Sequence, residues 1–220
     1  MKQSISVAAV ASGPTRKGLF AKFPALGRFL GPVKADSFRV ASRVCNVLKA
    51  GTPAESWEEL ASAGIVAVYG NPFPVRKLLA QLEQASIDWR GKILLACDLH
   101  DGRALLSSFS RKGASTASLL VWDGPPPLLI IDSPPDVARR LRRLFTAAGC
   151  RTVSLMSGSE SQFLTKSSKI EAAFARSMDL FLADLARLGL RKAGARSVAA
   201  HVFFHALSRK FHDKIPRPRF

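Results

Sequence analysis

The residues with chemical potential in this chain sit in turns that follow apolar runs. After Ile5-Ser-Val-Ala-Ala-Val-Ala11 comes Ser12-Gly13-Pro14-Thr15-Arg16-Lys17-Gly18. One glycine at the bend and two cations in the first helical turn suit an anion, because a phosphate is held either by amide hydrogens at a helix start or by cationic side chains. The G-x-G-x-x-G spacing that brings backbone against a pyrophosphate is absent, since Thr15 and the cations stand where a second glycine would permit contact. Gly13, Thr15, Arg16 and Lys17 are therefore candidate phosphate contacts, and a plain surface turn is the alternative.

A second group follows at the offset where a ribose-selecting residue is expected. Asp36 lies 23 positions beyond Gly13, with Arg39 and Arg43 one helical turn apart and Lys34 nearby. An acid at this place selects ribose hydroxyls, whereas arginine accommodates an added 2′-phosphate. Cations outnumber the acid, so a bound dinucleotide is expected to be NADP, with helix-surface arginines as the other reading. Gly70-Asn71-Pro72 ends a third apolar run and would approach the adenosine side of such a ligand, or be an ordinary strand-ending turn. Asp98, His100 and Asp101 follow a fourth run. His100 between two acids is the candidate proton carrier, because a neighbouring carboxylate raises and orients an imidazole; a solvated loop histidine is the alternative. His201, His205 and His212 share a helical face but lack the acid of H-E-x-x-H, so packing is expected there and no metal.

The elements that must position these groups are legible from periodicity. Strands are expected at 5–11, 33–37, 65–69, 92–97, 117–122, 128–131 and 151–155, apolar throughout, with helices at 15–30 (kinked or restarted at Pro24), 39–50, 75–83, after the 98–102 turn through 109, and 135–148. Ser56-Trp-Glu-Glu59 matches a capping box opening a short helix. Alternation of this kind implies a doubly wound, mostly parallel α/β sheet of Rossmann type whose binding crevice lies at the carboxyl ends of the strands. After Met156 the spacing becomes helical, giving one helix of about 28 residues and a second over 196–212. The expected division is residues 1–156 as the α/β domain and 157–220 as a small helical domain. Its apolar stripes must be covered, either by the first domain or by the same helices of a partner subunit, and a homodimer through these helices is the expected partner.

Composition narrows the classes. Apolar residues make up 47% of the 220, which suits a globular core rather than a disordered chain. No apolar run approaches the roughly 20 residues that cross a bilayer, and the first run reads as a strand rather than a signal peptide. Cys45, Cys97 and Cys150 are odd in number and set in apolar contexts, as expected of reduced thiols in a cytoplasmic protein. The net charge of +17 is concentrated at both ends, with nine cations against one acid over residues 1–50 and thirteen against five over 151–220. Such a field attracts anions generally, whether nucleotide phosphates or nucleic acid, yet no nucleic-acid motif accompanies it. The absence of G-x-S-x-G and of a Walker loop removes the hydrolase and triphosphatase readings.

Several segments carry a family resemblance: Ser37-Phe-Arg39, Ile65-Val-Ala-Val-Tyr-Gly-Asn-Pro72, Trp89-Arg-Gly-Lys-Ile-Leu-Leu95, Gly113-Ala-Ser-Thr-Ala-Ser-Leu119 and Ala147-Ala-Gly-Cys-Arg-Thr-Val153. Together they resemble bacterial Rossmann-like oxidoreductases with a C-terminal helical domain of unknown function, relatives of pyrroline-5-carboxylate, ketopantoate and 6-phosphogluconate reductases. The resemblance implies that fold, a helix-mediated dimer and hydride transfer with a small metabolite in the cleft. The chain departs from the family where ligands would bind: the glycine fingerprint is missing, the histidine turn survives only as Cys97-Asp98-Leu99-His100, and Leu119-Leu120-Val121 replaces Leu-His-Pro. A non-catalytic descendant that keeps the scaffold for binding or dimerisation is the rival expectation.

Overall fold

The computed structural model describes residues 6–13, 18–99, 101–122 and 127–211, with side chains described up to residue 206. Eight strands form one sheet: β1 (Val7–Ala11), β2 (Leu30–Lys34), β3 (Thr52–Pro53), β4 (Ile65–Tyr69), β5 (Ile93–Cys97), β6 (Ser115–Trp122), β7 (Leu128–Asp132) and β8 (Arg151–Leu155). Their order is β3-β2-β1-β4-β5-β6-β7-β8, and every pairing is parallel except the antiparallel β6–β7 pair. This is the doubly wound, mostly parallel Rossmann-like sheet that the alternating pattern predicts.

The central strands β1, β4 and β5 are apolar throughout because both faces are covered, whereas the edge strand β8, with Arg151, Thr152 and Ser154, is largely exposed and departs from that expectation. Ile65, Ala67 and Tyr69 of β4 face a core shared with Leu19 and Phe20 of α1 (Leu19–Lys22), Val44 and Cys45 of α2 (Phe38–Leu48), and Val137, Leu141 and Phe145 of α6 (Pro135–Ala147). The alternate residues Val66 and Val68 face Val75, Leu78 and Leu82 of α3 (Pro72–Gln84), together with Phe109 of α5 (Ser107–Arg111). On this second face Trp89 meets Phe109 edge-on at 5.1 Å. Gly102 opens α4 (Gly102–Leu105) directly against β5, where an added Cβ would lie 2.6 Å from that of Ala96.

Over residues 18–30 the structure forms less helix than periodicity predicts, and the kink or restart expected at Pro24 is a full change of helix type. α1 is one turn, a 3-10 segment spans Pro24–Phe29, and Leu30 already belongs to β2. Pro24 cannot continue the helical hydrogen bonding, so the chain tightens and turns there. β2 starts three residues before expectation because its proline is accommodated at a register shift: Val7 pairs with Leu30, but Ala9 pairs with Val33. Ser37, expected at the end of a strand, is instead the N-cap of α2, accepting from the Val40 amide at 3.3 Å. The Ser56 segment opens a 3-10 turn (Glu58–Ser62), in which Glu59 reaches back to accept from the Glu55 and Ser56 amides at 2.7 and 2.8 Å.

By contact density the chain divides at Ser161/Gln162. The first unit carries the opening turn of the long helix α7 (Glu160–Arg187), held by a buried carboxylate at the end of β7. Asp132, 2% exposed, accepts from the Gly158 amide at 2.8 Å, the Glu160 amide at 2.7 Å and Arg103 Nη1 at 3.2 Å. Arg103 Nη1 also donates to Ser157 Oγ, and Ser118 Oγ donates to Glu160 Oε2, both at 2.5 Å. In the second unit, Leu185 of α7 packs with Ala195 and Ala199 of α8 (Lys192–Phe211), and Phe203 lies edge-on to Phe174 at 4.8 Å. His201 and His205 are exposed rather than packed, which corrects that expectation for them: they fall outside the stripe defined by Ala195, Ala199 and Phe203, and His212 lies outside the described residues. Among the described residues no helix is long and apolar enough to cross a membrane, and no three histidine, cysteine or carboxylate groups could share a metal.

Candidate functional site

The strand order reverses direction at β1, with β2 on one side and β4 on the other. Loops leaving β1 and β4 therefore diverge to opposite faces and open a crevice at the carboxyl edge. Ser12 bridges its two walls: its amide donates to the Tyr69 carbonyl at 3.2 Å, and its hydroxyl accepts from the Asn71 amide at 2.8 Å. Gly70 has φ +127°, and a Cβ there would lie 2.0 Å from Ser12 Oγ, so both backbone and space require glycine. Gly13, at φ +150°, is the reverse case: among the described residues, a Cβ built on it meets nothing within 4 Å. Backbone at the end of β1 thus borders open space, while the neighbouring gap at Gly70 is filled by Ser12.

The helix that would direct its dipole at a phosphate is only four residues long and starts at Gly18 with no side-chain cap. So short a helix gathers little macrodipole, and an anion near Gly13 would depend on cationic side chains. Thr15, Arg16 and Lys17 lie outside the described residues. Arg39 and Arg43 are exposed on α2, opposite its buried residues Ala41, Val44 and Cys45, and no described carboxylate pairs with either. Arg39 sits in the first turn, near the crevice, and Arg43 one turn further away. Lys34 is turned elsewhere, donating to the Glu55 carbonyl with its ammonium 5.6 Å from the centre of the Trp57 ring.

Asp36 meets a cation that spacing along the sequence does not reveal. Lys77, from the second turn of α3, places its Nζ 3.7 Å from Asp36 Oδ1, with both side chains mostly in solvent. The acid that would hold ribose hydroxyls is therefore partly neutralised from across the crevice. Asn71 is the N-cap residue of α3 and Pro72 its first residue, and the next side chain, Phe73, is 88% exposed.

Tyr69 closes β4 as a buried residue whose hydroxyl has no partner among the described residues. Burial, with minor contributions from the Cys97 and Cys45 thiols, pushes its pKa above the ordinary phenol value, so it stays protonated. At the end of β5, Asp98 and Asp101 both adopt left-handed backbone, with φ 52° and 53°. Asp98 extends the sheet: its amide donates to the Leu119 carbonyl at 2.8 Å, and its carboxylate accepts from the Val121 amide at 2.7 Å. Asp101 is the N-cap residue of α4, and His100 lies outside the described residues. The three cysteines are buried and unpaired, and burial raises each thiol pKa, which makes them poor nucleophiles. An open cleft of about 490 Å³ between Ser42, Asn46, Lys49 and Pro53 lies where α2 ends and β3 begins, at the opposite edge of the sheet from the crevice.

No protein-family model matches the chain, and no curated protein is similar to it in sequence. Solved structures are similar in fold. The imine reductase of Streptomyces aurantiacus has a TM-score of 0.63 at 18% identity, over 94% of this chain and 75% of that one. A pyrroline-5-carboxylate reductase from Coxiella burnetii has 0.64 at 12%, over 97% and 82%. The Myxococcus stipitatus imine reductase in complex with NADP+ has 0.59 at 14%, over 97% and 79%. The chain has the fold of these Rossmann-like reductases, C-terminal helices included.

Proposed function

We propose that this chain binds NADP across the β1–β4 crevice and is an oxidoreductase acting on a small metabolite. The observation that carries the reading is the Asp36–Lys77 pair, which neutralises the acid beside the expected ribose position and leaves Arg39 and Arg43 without a described carboxylate. Negative charge from a 2′-phosphate is then met by Lys77 and Arg39 instead of by a bare carboxylate. Open space at Gly13 accommodates the diphosphate, with Thr15, Arg16 and Lys17 as its side-chain contacts, and Gly70, Asn71 and Pro72 border the adenosine half. Bound nicotinamide supplies hydride transfer. His100 is the proposed proton carrier. We place the protein in the cytoplasm as a homodimer, in which the exposed Ile170, Phe174, Val198 and Val202 of α7 and α8 meet their counterparts.

Thermal denaturation with each cofactor tests this. At a hundredfold excess over Kd, NADP+ should add about 2.7 kcal/mol of stability, and NAD+ at the same concentration clearly less. Lys77→Glu should weaken NADP+ about tenfold and narrow the gap to NAD+. The second reading, a scaffold that has lost its cofactor, is favoured by the one-turn α1 and by the Ser12 plug over Gly70. It predicts no stabilisation by either nucleotide.

A further inference from the structure

Among the described residues the most exposed large apolar side chain is Phe73. It stands between Pro72 and Pro74 in the first turn of α3, at the carboxyl edge of β4, and is 88% exposed. Two prolines fix their own φ and restrict the residues before them, so the ring is carried on a stiff base. Phe73 and Lys77 are separated by four positions and so share one face of the helix. Lys77 fixes where that face looks, because its ammonium reaches Asp36 just beyond β2. Phe73, one turn closer to the helix start, therefore borders the slot between the end of β2 and the start of α3. No described ring or apolar cluster covers it.

We propose that Phe73 is the stacking platform for the purine of the bound dinucleotide, an assignment that rests on the cofactor reading above. A dinucleotide lying across the switch point sets its adenosine at the β2 end, with the ribose at the residue after that strand. Here that residue is Asp36, so the base attached to this ribose falls at the slot bordered by Phe73. The platform supplies a flat apolar face where the chain lacks a glycine-loop cradle, and it shifts binding energy from the diphosphate to the base. Stacking of a base on an aromatic side chain is sequence-tolerant and strong enough to be read in a single substitution.

The experiment compares the full-length wild type with Phe73→Ala and Phe73→Trp, titrated with NADP+, adenosine 2′,5′-bisphosphate and nicotinamide mononucleotide. Phe73→Ala should weaken NADP+ and the bisphosphate about tenfold and leave the mononucleotide unchanged. Phe73→Trp should retain affinity, and its added fluorescence, after subtraction of the wild-type signal, should be quenched by the bisphosphate and not by the mononucleotide. Phe73 is solvent-exposed, so both variants should melt within a few degrees of the wild type. If the wild type binds NADP+ while Phe73→Ala binds it equally well, or the new tryptophan is blind to the bisphosphate, the platform is wrong and the cofactor reading stands. If the wild type binds neither NADP+ nor NAD+, the cofactor reading fails and the platform fails with it.

Discussion

Asp132→Ala should destabilise the protein by about 3–5 kcal/mol, the scale of a buried charge pair broken from one side. The carboxylate is 2% exposed and accepts from two amides and one guanidinium, so its loss takes an acceptor from three donors, of which Arg103 Nη1 keeps Ser157 Oγ. Arg103 retains 30% exposure and recovers some hydration, which favours the lower end of that range. The Glu160 amide, in a buried residue, has no such recourse, whereas the Gly158 amide belongs to an exposed residue and can turn to water. They lie at the opening of α7, where amides without intrahelical partners gather, and Asp132 caps that helix from a strand distant in sequence. Asp132→Asn keeps one acceptor oxygen and should lose roughly half as much. Urea denaturation measures both. A loss below about 1 kcal/mol for the alanine variant would show that α7 is held at its start by other contacts. Against a total stability of about 5–15 kcal/mol, the expected loss should also lower the soluble yield.

Gly70→Ala is expected to be nearly as damaging, for a local reason. At φ +127° an L-residue carries strain of about 1–3 kcal/mol. The new methyl would also lie 2.0 Å from Ser12 Oγ and 2.9 Å from Ser12 Cβ, so the side chain that bridges β1 to the start of α3 must leave. Loss of that bridge leaves the Asn71 amide, in an exposed residue, to water and adds no more than about 1 kcal/mol. The sum is about 2–4 kcal/mol by urea denaturation. The double variant Ser12→Gly/Gly70→Ala should recover the steric part and keep the backbone strain, giving a coupling energy near 1 kcal/mol. Purely additive losses would mean that the two residues do not meet.

The fold was readable because β4, β5 and β7 are short apolar runs closed by a turn, and the helices between them have one clear stripe. Ile65–Tyr69 and Arg151–Leu155 agree to the residue, and the 28 residues of α7 match the expected length. Two signals misled the reading near the amino end. Apolar spacing over residues 19–30 looks helical, yet Pro24 breaks the helix, and Pro32 hides a strand that a register shift makes tolerable. The two-residue β3 is too short to show any period.

At the crevice, sequence distance points to Gly13, Asp36, Arg39 and Gly70, because each follows a strand by a fixed offset. It does not point to Lys77, Phe73, Ser12 or Tyr69, whose roles depend on contacts across the switch point. The Asp36–Lys77 pair joins residues 41 positions apart, and only the pairing order of β2, β1 and β4 brings them together. The Pro-Phe-Pro run at 72–74 was the one available hint, since two prolines around an aromatic residue rigidify a surface ring. Lys34 shows the reverse, a cation near Asp36 along the chain that is turned to Glu55 and Trp57.

The central claim is tested most directly by a crystal structure of the full chain grown with NADP+. The diphosphate is expected beside Gly13, the 2′-phosphate between Lys77 and Arg39, and the adenine over Phe73. Crystals grown at millimolar NADP+ that show the crevice closed by side chains, or the nucleotide seated elsewhere, would contradict it.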